Sequence, residues 1–347
     1  MRIINKSTTN KINTIDTEIS ILQERISQLE YQLLLISSEK KSRNRILDKY
    51  TIEKDPIMTF CMPTYNGEKY IERALDSILM QDTTYNYKIW IIDDHSTDHT
   101  VDIVKEYMKI YPQRIMLDVN KVNEKGLTAA PKIYNNVRTK YWMNFDQDDY
   151  WLNSDKLERA LTYMELHDEC SLYSSNIYIR HYSELISGYR GQLPNFRINF
   201  CDYPLNNVPL LQTSATIFRN SFTKHDLEHI NSFVNTDKHF CIVGDTFRNL
   251  FALTKGYCFY ENSIDSVYNW TDKGVWSSLN SAQEAFYNLQ YYYGAIEFFE
   301  EDFQKKHMKN CVLHNLEILE KLSAIDMLKE NEYSEYLQIK SKMQSQR

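Results

Sequence analysis

From residue 56 onward, short apolar runs alternate with amphipathic stretches, and this alternation most limits the folds open to the chain. Runs at 57–62, 87–92, 114–119 and 140–145 read as strands. The first stops at Pro63, which cannot donate to a ladder. Between them, 67–81, 98–111 and, despite Pro131, 126–139 read as helices. The first of these carries Tyr70, Ile71, Ala74, Leu75, Ile78 and Leu79 on one face. A helix over 154–167, capped by Asn153 or Ser154, follows. This βαβαβαβα order predicts an α/β fold with a doubly wound, mostly parallel sheet flanked by helices. Ligands of such sheets lie outside the carboxyl ends of the strands. The later half is less regular. Strands are expected at 171–180, 209–219 and 257–261, a helix at 245–253, and a long helical stretch from 281 to about 328.

Acidic clusters stand at those carboxyl ends. Asp146, Asp148 and Asp149 lie within Asn144-Phe145-Asp146-Gln147-Asp148-Asp149-Tyr150-Trp151. Three carboxylates so close repel one another unless a cation or solvent compensates. Mg²⁺ is usually held by one or two carboxylates plus substrate phosphates. The alternative is a solvated loop that caps the next helix. A second cluster, Asp93-Asp94-His95-Ser96-Thr97-Asp98, follows the second run. An Asp there can accept hydrogen bonds from a ligand, or it can brace a turn while Ser96, Thr97 or Asp98 caps a helix. Met62-Pro63-Thr64-Tyr65-Asn66-Gly67 closes the first run. Its Pro and Tyr can form a platform for a base, or simply turn the chain into a helix.

The first segment has a different period. Ile12, Ile15, Ile19, Leu22, Ile26, Leu29, Leu33 and Ile36 are spaced alternately by three and four residues, an a/d seam without Gly or Pro. Such a stripe needs a partner helix, so residues 12–36 are expected to form a coiled coil that makes the chain a homo-oligomer; a helix docked on its own chain is the alternative. The a/d residues lean towards a parallel dimer and leave a trimer open. Residues 40–55 read as a charged linker.

Composition narrows the function. The net charge is −7 and no long basic stripe exists, so nucleic acid is not an expected partner. The six cysteines are scattered without a CxxC pair, which points to a reducing compartment. No run of about 18 apolar residues suggests a transmembrane span. A cytoplasmic location is expected, with peripheral attachment at the inner face of a membrane left open.

In order and spacing, the three strand-end segments resemble family 2 glycosyltransferases of GT-A fold. Pro63-Thr64-Tyr65-Asn66 is similar to the family's opening motif, Asp93 to Asp98 to its DDxSxD segment, and Asp146-Gln147-Asp148-Asp149 to its DXD-type metal motif. Leu211 to Arg219 resembles a segment that lines the acceptor side. Gly244-Asp245 resembles the segment that carries the catalytic base, and Val267 to Ser277 a "vYRxHxxGvWS" ending. The chain departs from the pattern at Asn269 and Thr271, where relatives carry Arg and His, and at Pro131-Lys132, where many carry Arg-Asn.

The resemblance implies an inverting, metal-dependent transfer of sugar from a nucleoside-diphosphate sugar to a hydroxyl of a glycan or lipid-linked acceptor, as in surface polysaccharide synthesis. Asp245 would be the general base. Asp148 would lead as metal ligand for Mn²⁺ or Mg²⁺. Asp146 and Asp149 would share metal, ribose or supporting duties. Pro63, Thr64 and Tyr65 would contact the base, and Asp94 would accept its N–H, which favours a UDP- or dTDP-sugar. Lys132 would reach a phosphate, and Trp276 the sugar or diphosphate. The expected organisation is a coiled-coil helix and linker over 1–45, a GT-A domain over 56–277 with a nucleotide-sugar half (56–150) and an acceptor half (151–277), and a helical extension over 281–347. The competing reading is a catalytically silent member that serves as a scaffolding or glycan-binding subunit. A nucleotidyltransferase would need a Gly-rich, Lys-bearing phosphate loop after the first strand, which Pro63-Thr64-Tyr65-Asn66 is not.

Overall fold

The four early apolar runs become four parallel strands, β1 (Met58–Thr64), β2 (Tyr87–Asp93), β3 (Ile115–Val119) and β4 (Tyr141–Asn144). This computed structural model describes residues 55–181, 184–188, 195–205, 209, 211–270, 279–321 and 327–345. The heptad segment 12–36 and Trp276 lie outside the described residues. The strand order runs β3-β2-β1-β4. β1 pairs β2 from Met58↔Tyr87 to Thr64↔Asp93, and pairs β4 from Met58↔Tyr141 to Cys61↔Asn144. The chain therefore winds outward from β1 in one direction to β3 and then reverses to β4. That reversal is a topological switch point, where a crevice opens beyond the strand ends.

Both faces of the sheet are covered, which explains why the strands are apolar throughout rather than alternating. Phe60 and Met62 of β1 face a core built with α1 (Ile71–Leu79), α2 (Thr100–Ile110) and α4 (Lys156–Leu166). Cys61, between them, faces the opposite core, which holds α3 (Ala129–Asn136) and the later helices. α1 buries Ile71, Ala74, Leu75, Ile78 and Leu79 completely, as its spacing predicts.

The second half adds β5 (Tyr150–Trp151), β6 (Cys170–His181), β7 (Glu184–Ser187), β8 (Phe196–Ile198), β9 (Ile217–Arg219) and β10 (Tyr257–Trp270). The sheet continues β4-β9-β6-β10-β5, with β7 on β6 and β8 on β10. β9 runs antiparallel to both β4 and β6, so β6 and its parallel partner β10 point the same way as β1 to β4. The sheet is parallel at its centre and mixed beyond it.

Several boundaries differ from the sequence expectation. The strand expected at 209–219 is reduced to β9, because Thr213–Ala215 is a 3-10 turn. The strand expected at 257–261 runs on to Trp270, past bulges that let it follow β6. α3 starts at Ala129, after Gly126 turns with φ +72°. The chain then forms α5 (Lys224–Val234), α6 (Phe240–Val243) and α7 (Asp245–Leu253). The long helical stretch divides into α8 (Ser281–Phe298) and α9 (Asp302–Lys321), and α10 (Glu330–Ser345) follows. The break at Phe299 has a packing cause. Adjacent residues of a helix point about 100° apart, and an extended Phe299 lets both Phe298 and Phe299 bury. α8 opens on a capping box between Asn280 and Gln283.

Candidate active site

The three strand-end segments are stitched together by side-chain hydrogen bonds at the switch point. Asp94 N–H donates to the Thr64 carbonyl (2.8 Å), which closes β1 against β2. Asn66, in the left-handed region at φ 46°, accepts from Thr97 N–H (2.8 Å), and its own N–H donates to Ser96 Oγ (2.9 Å). Gly67 and Glu68 N–H groups donate to Thr100 Oγ1 (2.7 Å) and Asp98 Oδ2 (3.1 Å). Gln147 ties in the third segment: its amide accepts from Tyr65 N–H (3.2 Å) and donates to the Tyr65 carbonyl (2.8 Å). A Cβ on Gly67 would stand 2.1 Å from Gln147 Oε1, so only glycine admits this clamp. Tyr65 is left 44% exposed at the mouth, while Thr64 is buried with its hydroxyl on the Met62 carbonyl (3.1 Å). Pro63 and Tyr65 are thus the side chains of Pro63-Thr64-Tyr65 that keep an open surface.

The acidic residues divide into those already engaged and those left open. Asp94 accepts from Asn120 Nδ2, Glu124 N–H and Gly126 N–H, each at 2.9 Å. Burial pushes its carboxyl up, but these bonds outweigh burial and hold it below the ordinary aspartate range. It therefore shapes the 120–126 loop. Asp149 is fully buried and accepts from Gln212 Nε2 (2.7 Å) and Asn269 N–H (2.9 Å), which joins the acidic turn to β10. Burial, then Asp146 and Asp148, raise its pKa strongly. Asp146, by contrast, engages only its backbone among the described residues: its N–H donates to Ser214 Oγ (2.9 Å) and its carbonyl accepts from Asp149 N–H (3.1 Å). Burial, then Asp148, push its carboxyl up to about 7; Arg248 opposes the rise and Asp245 adds to it. Asp148 is also raised, by burial, with Arg73 opposing.

Asp245 opens α7 just after Gly244, where the helix N-terminus favours a carboxylate. Its Oδ1 accepts from Thr246 N–H (2.6 Å). Arg248 follows at i+3, on the same helix face. Its side chain is 93% buried, with Nη1 on the Val243 carbonyl (3.4 Å) and Nε without a partner among the described residues. The phenol of Tyr268, on β10, marks where these groups meet. Burial, then Asp149, Asp146, Asp148 and Asp245, push it up to about 12. Carboxylates from two distant segments therefore act on one hydroxyl.

Two cations stand elsewhere. Lys132 pairs with Asp118 (2.6 Å) and reaches Asn120 Oδ1 (3.4 Å), beside a cleft of about 410 Å³ lined also by Lys88, Trp90 and Arg138. Behind the acidic turn, Lys156 is fully buried against the Trp151 ring (4.6 Å) and donates to Ser266 Oγ (2.7 Å) and Ser175 Oγ (3.1 Å). Burial, against the pull of Asp265, lowers its pKa to about 7.

Gln147, Ser214, Gln212, Arg248 and Tyr268 carry no sequence signal as site residues. Gln147, Gln212, Ser214 and Tyr268 stand inside segments that carry the resemblance, but their roles there depend on partners far away in the chain.

A divalent cation fits the chemistry of Asp146 and Asp148. Burial keeps both carboxyls raised despite Arg248 acting on Asp146 and Arg73 on Asp148, and the Asp146 carboxylate accepts no hydrogen bond among the described residues. Among those residues, no group of three carboxylate, thiol or imidazole ligands converges on one point. Two carboxylates with ligand phosphates and water completing the shell is the common Mg²⁺ arrangement.

Comparison with known proteins agrees with this geometry. Residues 59–226 match the family "Glycosyl transferase family 2". The chain is 35% identical over 109 residues to the putative teichuronic acid biosynthesis glycosyltransferase TuaG of Bacillus subtilis, across 31% of this chain and 42% of TuaG. It is 29% identical over 215 residues to the dTDP-rhamnosyl transferase RfbG of Shigella flexneri, across 57% of this chain and 67% of RfbG. Its match to an uncharacterized protein of Mycobacterium bovis spans 33% of that relative's length. Among solved structures, S. aureus TarS 1–349 in complex with UDP-GlcNAc superposes with a TM-score of 0.58 at 15% identity, covering 82% of this chain and 80% of that one. Mannosyltransferase PcManGT from Pyrobaculum calidifontis, in complex with GDP-Man and Mn²⁺, gives 0.51 at 13% identity, covering 87% and 88%. Residues 59–226 are thus a family 2 glycosyltransferase domain, and the chain that carries it has the GT-A fold.

Proposed function

We propose that this protein is an inverting, metal-dependent glycosyltransferase that moves a sugar from a nucleoside-diphosphate sugar to a hydroxyl of a glycan or lipid-linked acceptor, in surface polysaccharide synthesis. The observation that supports this reading is the buried acidic turn Asp146–Asp149 at the carboxyl end of β4, beside the switch point, whose carboxyls are raised by burial and which shares its field at Tyr268 with Asp245. The likeness to TuaG, a putative teichuronic acid biosynthesis glycosyltransferase, supports the polysaccharide context, that to RfbG a dTDP-sugar, and the TarS and PcManGT complexes a UDP-sugar and a divalent cation.

Pro63 and Tyr65 flank the nucleobase. Asp94 serves the base through its remaining lone pairs and through the loop it shapes. Asp146 and Asp148 would hold Mn²⁺ or Mg²⁺, which would supply positive charge to the leaving diphosphate. Asp149 keeps the acidic turn fixed against β10. Lys132, now on Asp118, and Trp276 are assigned to the phosphate and sugar on family resemblance alone. Asp245 takes the proton from the acceptor hydroxyl as that oxygen bonds to the anomeric carbon and the bond to the diphosphate breaks. Only its Oδ1 is engaged among the described residues, so Oδ2 is open to the acceptor. Holding the acceptor in line with the breaking bond supplies much of the acceleration.

The test is Asp245→Asn, assayed for donor binding and for transfer separately. Transfer should fall by about 100-fold or more with donor binding unchanged. Near-wild-type transfer in a folded variant refutes the base assignment. A silent scaffolding subunit would gain nothing from two uncompensated carboxylates beside an open base.

A further inference from the structure

The parallel strands β6 and β10 end on the same side of the sheet as β1 and β4, beyond the acidic turn, and their ends carry aromatic side chains. Tyr268 and Trp270, two residues apart, share one face of β10, with ring centres 6.2 Å apart at 72°. His181, the register partner of Trp270 on β6, continues the row at 6.2 Å and 80°. Asn269, between Tyr268 and Trp270, donates its N–H to Asp149 (2.9 Å), so the row starts beside the acidic turn and leads away from it. Neither the Tyr268 hydroxyl nor the Trp270 indole N–H has a hydrogen-bond partner among the described residues. Both rings are half-buried. Aromatic rings with a polar edge normally satisfy that edge when buried. Among the described residues, these two edges are left for a ligand.

We propose that Tyr268, Trp270 and His181 form an acceptor subsite that stacks the neutral pyranose rings of an oligosaccharide next to the ring whose hydroxyl reacts. This rests on the glycosyl-transfer function proposed above. The C–H face of a pyranose is apolar and slightly positive, which suits the negative face of an aromatic ring. Its equatorial hydroxyls suit the free O–H and N–H at the ring edges. An anionic acceptor ring is disfavoured close to Tyr268, because it would meet the carboxylates of the acidic turn. The row covers more than one ring, so the acceptor class is an oligosaccharide rather than a monosaccharide.

Saturation-transfer NMR on the full chain tests this, with cellotetraose, chitotetraose, maltotetraose and glucose as probes. Wild type, Trp270→Ala, Trp270→Phe and Asp245→Asn are compared after circular dichroism confirms folding. At least one tetrasaccharide should bind wild type more tightly than glucose. Trp270→Ala should weaken it about tenfold, while Trp270→Phe and Asp245→Asn retain it. Equal binding by wild type and Trp270→Ala, or no saturation of any tetrasaccharide by wild type, overturns the subsite. The transfer function fails separately: if Asp245→Asn keeps full turnover, the base is wrong, and the binding comparison still decides the subsite.

Discussion

Replacing Asp146 by Asn should make the metal-free protein more stable while removing its cation site. Burial and the neighbouring Asp148 raise the Asp146 carboxyl from 3.8 to about 7. The folded state therefore holds this proton more tightly than the unfolded chain does. Wild-type stability falls as pH rises from about 4 to 7 and is level above that. A shift of about three units corresponds to about 4 kcal/mol at full development. Asp146 is partly open to solvent, and screening reduces the penalty to about 2 kcal/mol. The replacement amide cannot ionise, and it also relieves Asp148, with which Asp146 titrates as a pair. Differential scanning fluorimetry at pH 8 without metal should thus place Asp146→Asn about 4 °C above wild type. At pH 4.5, where wild type is already protonated, the two should nearly coincide. With Mn²⁺ at 100 times its dissociation constant, wild type gains about 3 kcal/mol and the order reverses. An Asp146→Asn midpoint at or below wild type at pH 8 without metal would refute the uncompensated-charge account.

Other perturbations address the scaffold of the site. Gln147→Ala removes both bonds to the Tyr65 backbone and should raise the donor KM about tenfold. Gly67→Ala should do the same by expelling the Gln147 amide, and the double variant should add little in a mutant cycle on donor binding. Asp149→Ala strands the Gln212 amide and the Asn269 N–H in the interior and should cost about 2–4 kcal/mol, read by urea denaturation; an unchanged midpoint denies Asp149 its bracing role. Deleting residues 1–45 should give a smaller species by light scattering, since the heptads are the proposed oligomer contact; an unchanged mass rejects the stalk.

What the residues determined by themselves was the sheet and where its chemistry would stand. The apolar runs at β1, β2 and β4 are local patterns, and a strand buried on both faces needs no distant information to be recognised. The carboxylates at their ends follow from the same text. Tertiary structure alone decided which of those carboxylates remain available. Asp94 and Asp149 are identical in kind to Asp146, yet their oxygens are taken by groups 26 to 120 residues away. The field of Asp245 at Asp146, an Arg248 Nε without a partner among the described residues, and the aromatic row on β10 likewise depend on segments meeting across the fold. Hydrogen-bond satisfaction and desolvation are properties of the assembled neighbourhood, and no single segment encodes them.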